Sequence, residues 1–404
     1  MIGFRALLGS SRLFKSPALK TLGTALLLGV PLAGCEQEVD VALPPPVAKK
    51  PLDAKTIGDA ELKSLVDQAI QTTADRTLDQ KINNAWQVVH GILAYGRDLQ
   101  LTVDGKRTSA LEYLFEGKPL NGWTLFPTGP GRLGAELVPG SSAAQGHADQ
   151  WIGYLSQCGV KLDDPLIVTV NGKPQTHKFR ELIEQAKHDI GEVRVGDSPT
   201  QELTWTLMAF AEYSSDDFLP LDGSWKNRNG EEWTFERMMD MEAEAGIVGA
   251  ACGGSHRLYA IAEALMKYRA KHPGKPLTGG WAKAEKLLND SIRQAREYQQ
   301  PDGGFSTNKF QRSGISGDVD ARIDSTGHVF EVLAYALSDE ELKSEWFTRA
   351  ALFLTKTIDD TKAVPLNCGG LYHGAHGLII YRDRRFGPPS KSPEKNPMST
   401  AAGE

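Results

Sequence analysis

The sequence lacks several things, and each absence narrows what the chain can be. No Cys-x-x-Cys and no His-Glu-x-x-His occurs among its 404 residues, so any metal site must be assembled from distant parts of the chain. A basic excess is missing as well: 45 Lys and Arg face 51 Asp and Glu, for a net charge of −6. There is no basic stripe and no interleaving of aromatic with basic residues, which excludes nucleic acid as a partner. The apolar run at 24–34 is too short for a membrane span, which takes roughly 20 apolar residues.

That run fits an export signal instead. Arg5, Arg12, Lys15 and Lys20 precede it, no acidic residue occurs before Glu36, and small residues follow it. Leu32-Ala33-Gly34-Cys35 resembles the lipobox of bacterial lipoproteins. The resemblance implies that 1–34 is removed, that Cys35 is acylated, and that the chain is exported and held to a membrane by its lipid. Glu36 after the Cys implies, by the same resemblance, the outer membrane or the periplasmic face. Residues 35–57 then read as the lipidated Cys and a tether extended by Pro44-Pro45-Pro46. The tail, 388–404, opens on a Pro-, Ser- and Lys-rich stretch without apolar residues and reads as disordered. One domain remains, 58–387.

Inside that domain the histidines mark a repeat. His90, His147, His256, His328 and the His373/His376 pair each lie near the start of an apolar helical stretch, most with Gly close by. Trp205 takes the His place in the third stretch. The stretches recur at roughly 50 to 70 residues, the scale of a repeat architecture. Between them, 60–74, 109–115, 178–190, 233–245, 281–299 and 340–358 carry apolar residues at three-to-four spacing opposite a charged face. Six apolar and six amphipathic helices in alternation predict an all-α (α/α)6 toroid, apolar helices inside and charged ones outside. Two hairpins interrupt it, one around Gly129-Pro130-Gly131 and one turning at Asn171-Gly172.

Gln299-x-x-x-Gly303-x-Phe305 resembles the QW repeat of terpenoid cyclases and protein prenyltransferases, where Gln and ring tie a helix end to the next turn. The Asp-x-Asp-Asp acid of squalene-type cyclases is absent, and Asp318-Val319-Asp320-Ala321 falls short of it. Cys368-Gly-Gly-Leu-Tyr-His373-Gly-Ala-His376-Gly is loosely similar to the zinc-holding Gly/His segments of lanthionine synthetase cyclases, without their adjacent Cys-His pair. Taken whole, the mature chain looks most like a family of exported bacterial lipoproteins with α/α toroids related to the terpenoid cyclase/prenyltransferase superfamily. That resemblance implies a fold and no activity.

In a toroid the starts of the inner helices gather at one mouth, so the histidines are expected to converge there. Three chemistries suit such a mouth. A zinc ion could be held by Cys252, Cys368 and His376 or His373. A disulfide between Cys252 and Cys368 competes with it in an oxidising compartment, as do free thiols. A glycan or peptide site is the third, with carboxylates from Asp149, Glu202, Asp324 and Glu331 and platforms from Trp86, Trp151, Trp205 and Tyr259. The expected function is binding of an extracytoplasmic glycan or peptide in this mouth, with a hydrolase or lyase as the alternative. For binding, His90, His147, Asp149, Trp151, Trp205, Arg257 and Tyr259 are the expected contacts. For a hydrolase or lyase, the acid, base or metal groups are expected among His256, His328, His373, His376, Asp324 and Glu331. An isolated Gly-His start can also be purely structural, its imidazole bridging neighbouring helices. Oligomeric state is left open.

Overall fold

The computed structural model describes residues 53–191, 194–195, 198–199 and 202–388. The expected export signal, Cys35, most of the expected tether and the tail from 389 lie outside them. The described chain is mainly helical with several small β-sheets. Its helices are α1 (Asp59–Ala74), α2 (Ala85–Tyr95), α3 (Ala110–Phe115), α4 (Gln150–Ser156), α5 (Arg180–Asp189) and α6 (Thr204–Glu212). They continue as α7 (Phe235–Ala245), α8 (Ser255–Lys271), α9 (Gly279–Glu297), α10 (Val319–Ala336), α11 (Glu345–Asp360) and α12 (Cys368–Phe386). None is long and apolar enough to cross a membrane.

Sequence character sorts these helices into two series. The even-numbered helices are apolar around much of their circumference: all of α4 is buried, and in α6 only Glu212 is not. Several odd-numbered ones bury a single stripe, as in α9, where Trp281, Ala284, Leu288, Ser291 and Ala295 face inward, whereas α3 and α11 are more fully buried. Each buried helix packs on the next, α2 on α4, α4 on α6, α6 on α8, α8 on α10 and α10 on α12, and α12 packs back on α2. Odd-numbered helices cover this series, with α1 and α11 against each other and α9 against α7 and α8.

Local chemistry starts the helices where the site needs them. Asn84 caps α2 in a reciprocal box with Gln87, worth about 1 kcal/mol. Asp318 caps α10 and Asn367 caps α12. The contact of α10 with α12 depends on missing side chains. A Cβ on Gly327 would lie 2.5 Å from the Gly370 carbonyl oxygen, and one on Gly370 would lie 2.4 Å from Asp324 Cα. Both helices therefore approach backbone to backbone.

Both expected hairpins form, Leu125–Gly129 with Arg132–Ala135 and Pro165–Val170 with Lys173–Lys178. The second turns on Asn171 and Gly172, both at positive φ, as a tight two-residue hairpin requires. A three-stranded sheet of Leu78–Asp79, Gln100–Val103 and Lys106–Ser109 was not expected, although its Asp104-Gly105 turn carries the same kind of signal. Gln299 does tie α9 to α11, donating to the Gly303 and Trp346 carbonyls while Phe305 packs edge-on to Trp346. Asp53 to Ile57, which the sequence assigns to the expected tether, form a hydrogen-bonded turn, and Ala54 and Ile57 pack on the core.

Candidate functional site

The N-terminal parts of all six buried helices, with the residues just before them, line one open cavity of about 420 Å³. Trp86 comes from α2, His147 and Gln150 from the start of α4, and Trp205 from α6. Cys252 and His256 come from the start of α8, Asp318, Asp320, Asp324 and His328 from α10, and Asn367 and Gly369 from α12. The expected convergence of histidines is observed. His373 has ring centroids 4.1 Å from His328, 4.9 Å from His256 and 5.3 Å from His90.

The imidazoles are oriented by what holds their Nδ1 atoms. His90 Nδ1 donates to the Trp86 carbonyl at 2.6 Å and His328 Nδ1 to the Asp324 carbonyl at 2.7 Å, each one helical turn back. Glu331 accepts from both His373 Nδ1, at 2.8 Å, and His376 Nδ1, at 2.6 Å. Oxygens of these kinds only accept, so Nδ1 carries the proton and Nε2 is the atom presented elsewhere. A carboxylate or carbonyl behind each ring is the usual support of a metal-binding histidine. Tyr154 stands among the rings, its hydroxyl 3.5 Å from both His256 Nε2 and His373 Nε2.

Electrostatics divide the cluster. Burial pushes His90 down to about 3, reinforced by His373, and burial likewise drives His256 well below the usual imidazole range. Burial also lowers His373, against the pull of Glu331. His328 is the exception: burial opposes its charge, but Cys252 and Asp324 hold it up to about 10. Asp324 sits well below the carboxylate range, its burial outweighed by His328 and by Lys309, whose Nζ is 2.7 Å away. Glu331 stays ionised, at about 2, because its two imidazole partners outweigh its burial.

Among the described residues, the Cys252 sulfur and one ring nitrogen each from His256 and His328 lie within 4.8 Å of one another. Such a group could hold a metal ion. Cys252 occupies a left-handed conformation, φ 48°, at the head of a Cys-Gly-Gly turn. That conformation is costly for any residue with a Cβ and serves here to aim the sulfur at the two rings.

The donor set differs from the expected one of Cys252, Cys368 and His376. Cys368 faces Gln87 and Arg76, and His376 is held on Glu331 near Tyr259, so neither joins Cys252. Of the alternatives for the cysteines, the Cys252–Cys368 disulfide is not formed and the free-thiol one is found: Cys158, Cys252 and Cys368 are all free thiols.

Several expected contact residues do not line this cavity. Arg257 is buried and pairs with Glu242 at 2.8 Å, while Glu242 also accepts from Leu203 N and Thr204 Oγ1 at the start of α6. Tyr259 lies deeper, against Tyr335. Asp149 and Trp151 line a neighbouring pocket with Phe126 and Leu137, and Asp149 accepts from Thr206 Oγ1 at 2.5 Å. His147 and Trp205 do line the cavity, stacked at 4.3 Å, with His147 Nδ1 3.2 Å from Glu202. Tyr154 and Lys309 were missed, since their place depends on packing between segments remote in sequence. No protein-family model matches this chain, and no curated protein matches it in sequence.

Proposed function

We propose that this chain is an exported, lipid-anchored hydrolase built on an (α/α)6 toroid, with a zinc ion held by Cys252, His256 and His328. The cyclic packing order of the buried helices supports the toroid reading. The lipobox-like Leu32-Ala33-Gly34-Cys35 supports anchoring at the outer membrane or the periplasmic face.

One observation carries the chemical part: three zinc-type donors lie within 4.8 Å of one another beside an open cavity. Three protein ligands with a position left for water is the pattern of catalytic zinc, which brings bound water to a pKa near 7. Tetrahedral zinc with bonds of about 2.0–2.3 Å draws its donors closer than this, and rotation of the exposed Cys252 side chain supplies the movement. Asp324 orients His328 from behind, and Glu331 does the same for His373, which stands next to the donor set. A hydrolase of this kind needs no co-reactant but water, and its substrate is a glycan or a peptide.

Elemental analysis of the full-length chain, purified without chelator, tests this reading. The expected result is one zinc per chain, lost in Cys252→Ser and His328→Ala; a metal-free chain contradicts it. A second reading, binding of the same ligands without turnover, draws on the aromatic wall of Trp86, Trp205 and the stacked His147. Stoichiometric zinc with no release of product from a bound ligand would favour it.

A further inference from the structure

The large apolar side chains left exposed are not spread evenly over the molecule. Eight are exposed among the described residues. Ile82 lies in the connection entering α2, Phe126 and Leu137 in the one entering α4, and Val248 in the one entering α8. Ile315 lies in the connection entering α10, with Val319 as the first residue of that helix, and Val364 lies in the connection entering α12. Five of the six connections into a buried helix thus carry at least one; the described residues of the sixth, into α6, carry none. The described connections leaving those helices carry none, and the single exception, Met266, is on α8 itself.

This asymmetry has a location. The starts of the buried helices line the cavity, so the connections entering them border its mouth. Val248 is four residues from Cys252, Ile315 three from Asp318 and Val364 three from Asn367, all of which line the cavity. Val319 stands between two lining residues, Asp318 and Asp320. Ile82 and Val248 are each 81% exposed and Ile315 is 68% exposed. Scattered apolar residues on a surface need no explanation. Ile82, Val248, Ile315, Val319 and Val364, however, all stand close in sequence to residues lining one cavity, whereas Phe126 and Leu137 belong to the neighbouring pocket. Such a set marks an interaction site.

The chemistry of the border selects among occupants. Sugars are gripped by exposed aromatic faces, and here Ile and Val stand nearest the mouth while Trp86 and Trp205 lie within the cavity. Anionic bilayers attract basic surfaces, whereas this mouth presents the carboxylates of Asp318 and Asp320, with Asp324 paired to Lys309. Aliphatic side chains around an acidic opening match a polypeptide segment that carries apolar and basic residues. We propose, on the reading of the cavity as the active site, that its substrate is such a polypeptide, gripped by Ile82, Val248, Ile315, Val319 and Val364.

The test uses the full-length chain in detergent and two fluorescein-labelled random-coil peptides rich in Val and Leu, one with Lys and one with Glu at its charged positions. Zinc content is measured in the same samples. The expected result is that the Lys peptide binds and the Glu peptide binds at least about tenfold more weakly. Val248→Ser combined with Ile315→Ser removes apolar surface at two largely exposed positions without changing the charge of the mouth. It is expected to weaken the Lys peptide by at least about tenfold with zinc content unchanged. Equal binding of both peptides, indifference to the double substitution, or capture of chitin oligosaccharides or phosphatidylglycerol vesicles in place of peptide overturns the proposal. A zinc-loaded chain that binds neither peptide overturns this inference alone. A zinc-free chain that binds the Lys peptide leaves the surface standing and removes the metal reading.

Discussion

Gly370 on α12 lies so close to Asp324 on α10 that a Cβ at Gly370 would come within 2.4 Å of the Asp324 α-carbon. This contact sets the register that brings His373 beside His328, with Glu331 reaching both His373 and His376. Gly to Ala within a helix ordinarily stabilises by about 1 kcal/mol. Here Gly370→Ala is expected to do the opposite. Forcing the helices apart costs roughly 1–3 kcal/mol by overpacking, read as a fall in the urea midpoint.

Glu331 accepts two imidazole N–H groups inside the protein, and no neutral side chain of its shape can do the same. Gln offers one oxygen, and its amide then faces a second N–H donor. Glu331→Gln is therefore expected to lose about 1–3 kcal/mol in denaturant titration. One of the two Nδ1 proton resonances is expected to disappear from the nitrogen-edited NMR spectrum of the imidazoles. Both resonances persisting at their original shifts would contradict the arrangement.

Asp149 gives the clearest dependence on pH. Burial raises its carboxyl to about 6, against the hydrogen bond from Thr206, while in the unfolded chain it titrates near 3.9. Between those values the native state holds the proton and the unfolded state does not. Stability from this group therefore falls as pH rises from about 4 to about 6 and stays lower above that. Asn keeps the acceptor for Thr206 and tolerates the left-handed backbone at φ 61°. Asp149→Asn is expected to raise stability by about 1–2 kcal/mol at pH 7.5 and by almost nothing at pH 4, as read by thermal melts at both.

Lipidation at Cys35 is checked by mass. The mature N-terminal peptide is expected to begin at Cys35 and to carry the added mass of its acyl chains. Cys35→Ser is expected to leave residues 1–34 attached and the chain without lipid. A mature N-terminus elsewhere, or an unmodified Cys35, contradicts the anchored reading.

Periodicity made most of the helices legible. The alternation of apolar stretches such as α6 with striped ones such as α9 is written in residue type alone, and so is the Asn171-Gly172 turn. The convergence of His90, His256, His328 and His373 was also readable, because each sits near the start of an apolar stretch. Which of them meet Cys252 was not. His256 follows Cys252 by one turn, but His328 reaches the sulfur only through the angle at which α10 packs on α8. Cys368, equally near a helix start, points toward Gln87 and Arg76 because α12 is rotated to place its glycines on α10. Arg257 read as a contact residue because it adjoins His256. Only the fold reveals that Glu242, from α7, claims it.

The central claim is that Cys252, His256 and His328 form one metal centre, and cobalt substitution tests it most directly. Co²⁺ added to the metal-free full-length chain is expected to give the thiolate-to-cobalt charge-transfer band in the near ultraviolet and the intense visible bands of a tetrahedral ion. Cys252→Ser should abolish the first while Cys368→Ser leaves it intact. A cobalt spectrum without the thiolate band, or one that depends on Cys368 and not on Cys252, would contradict the account.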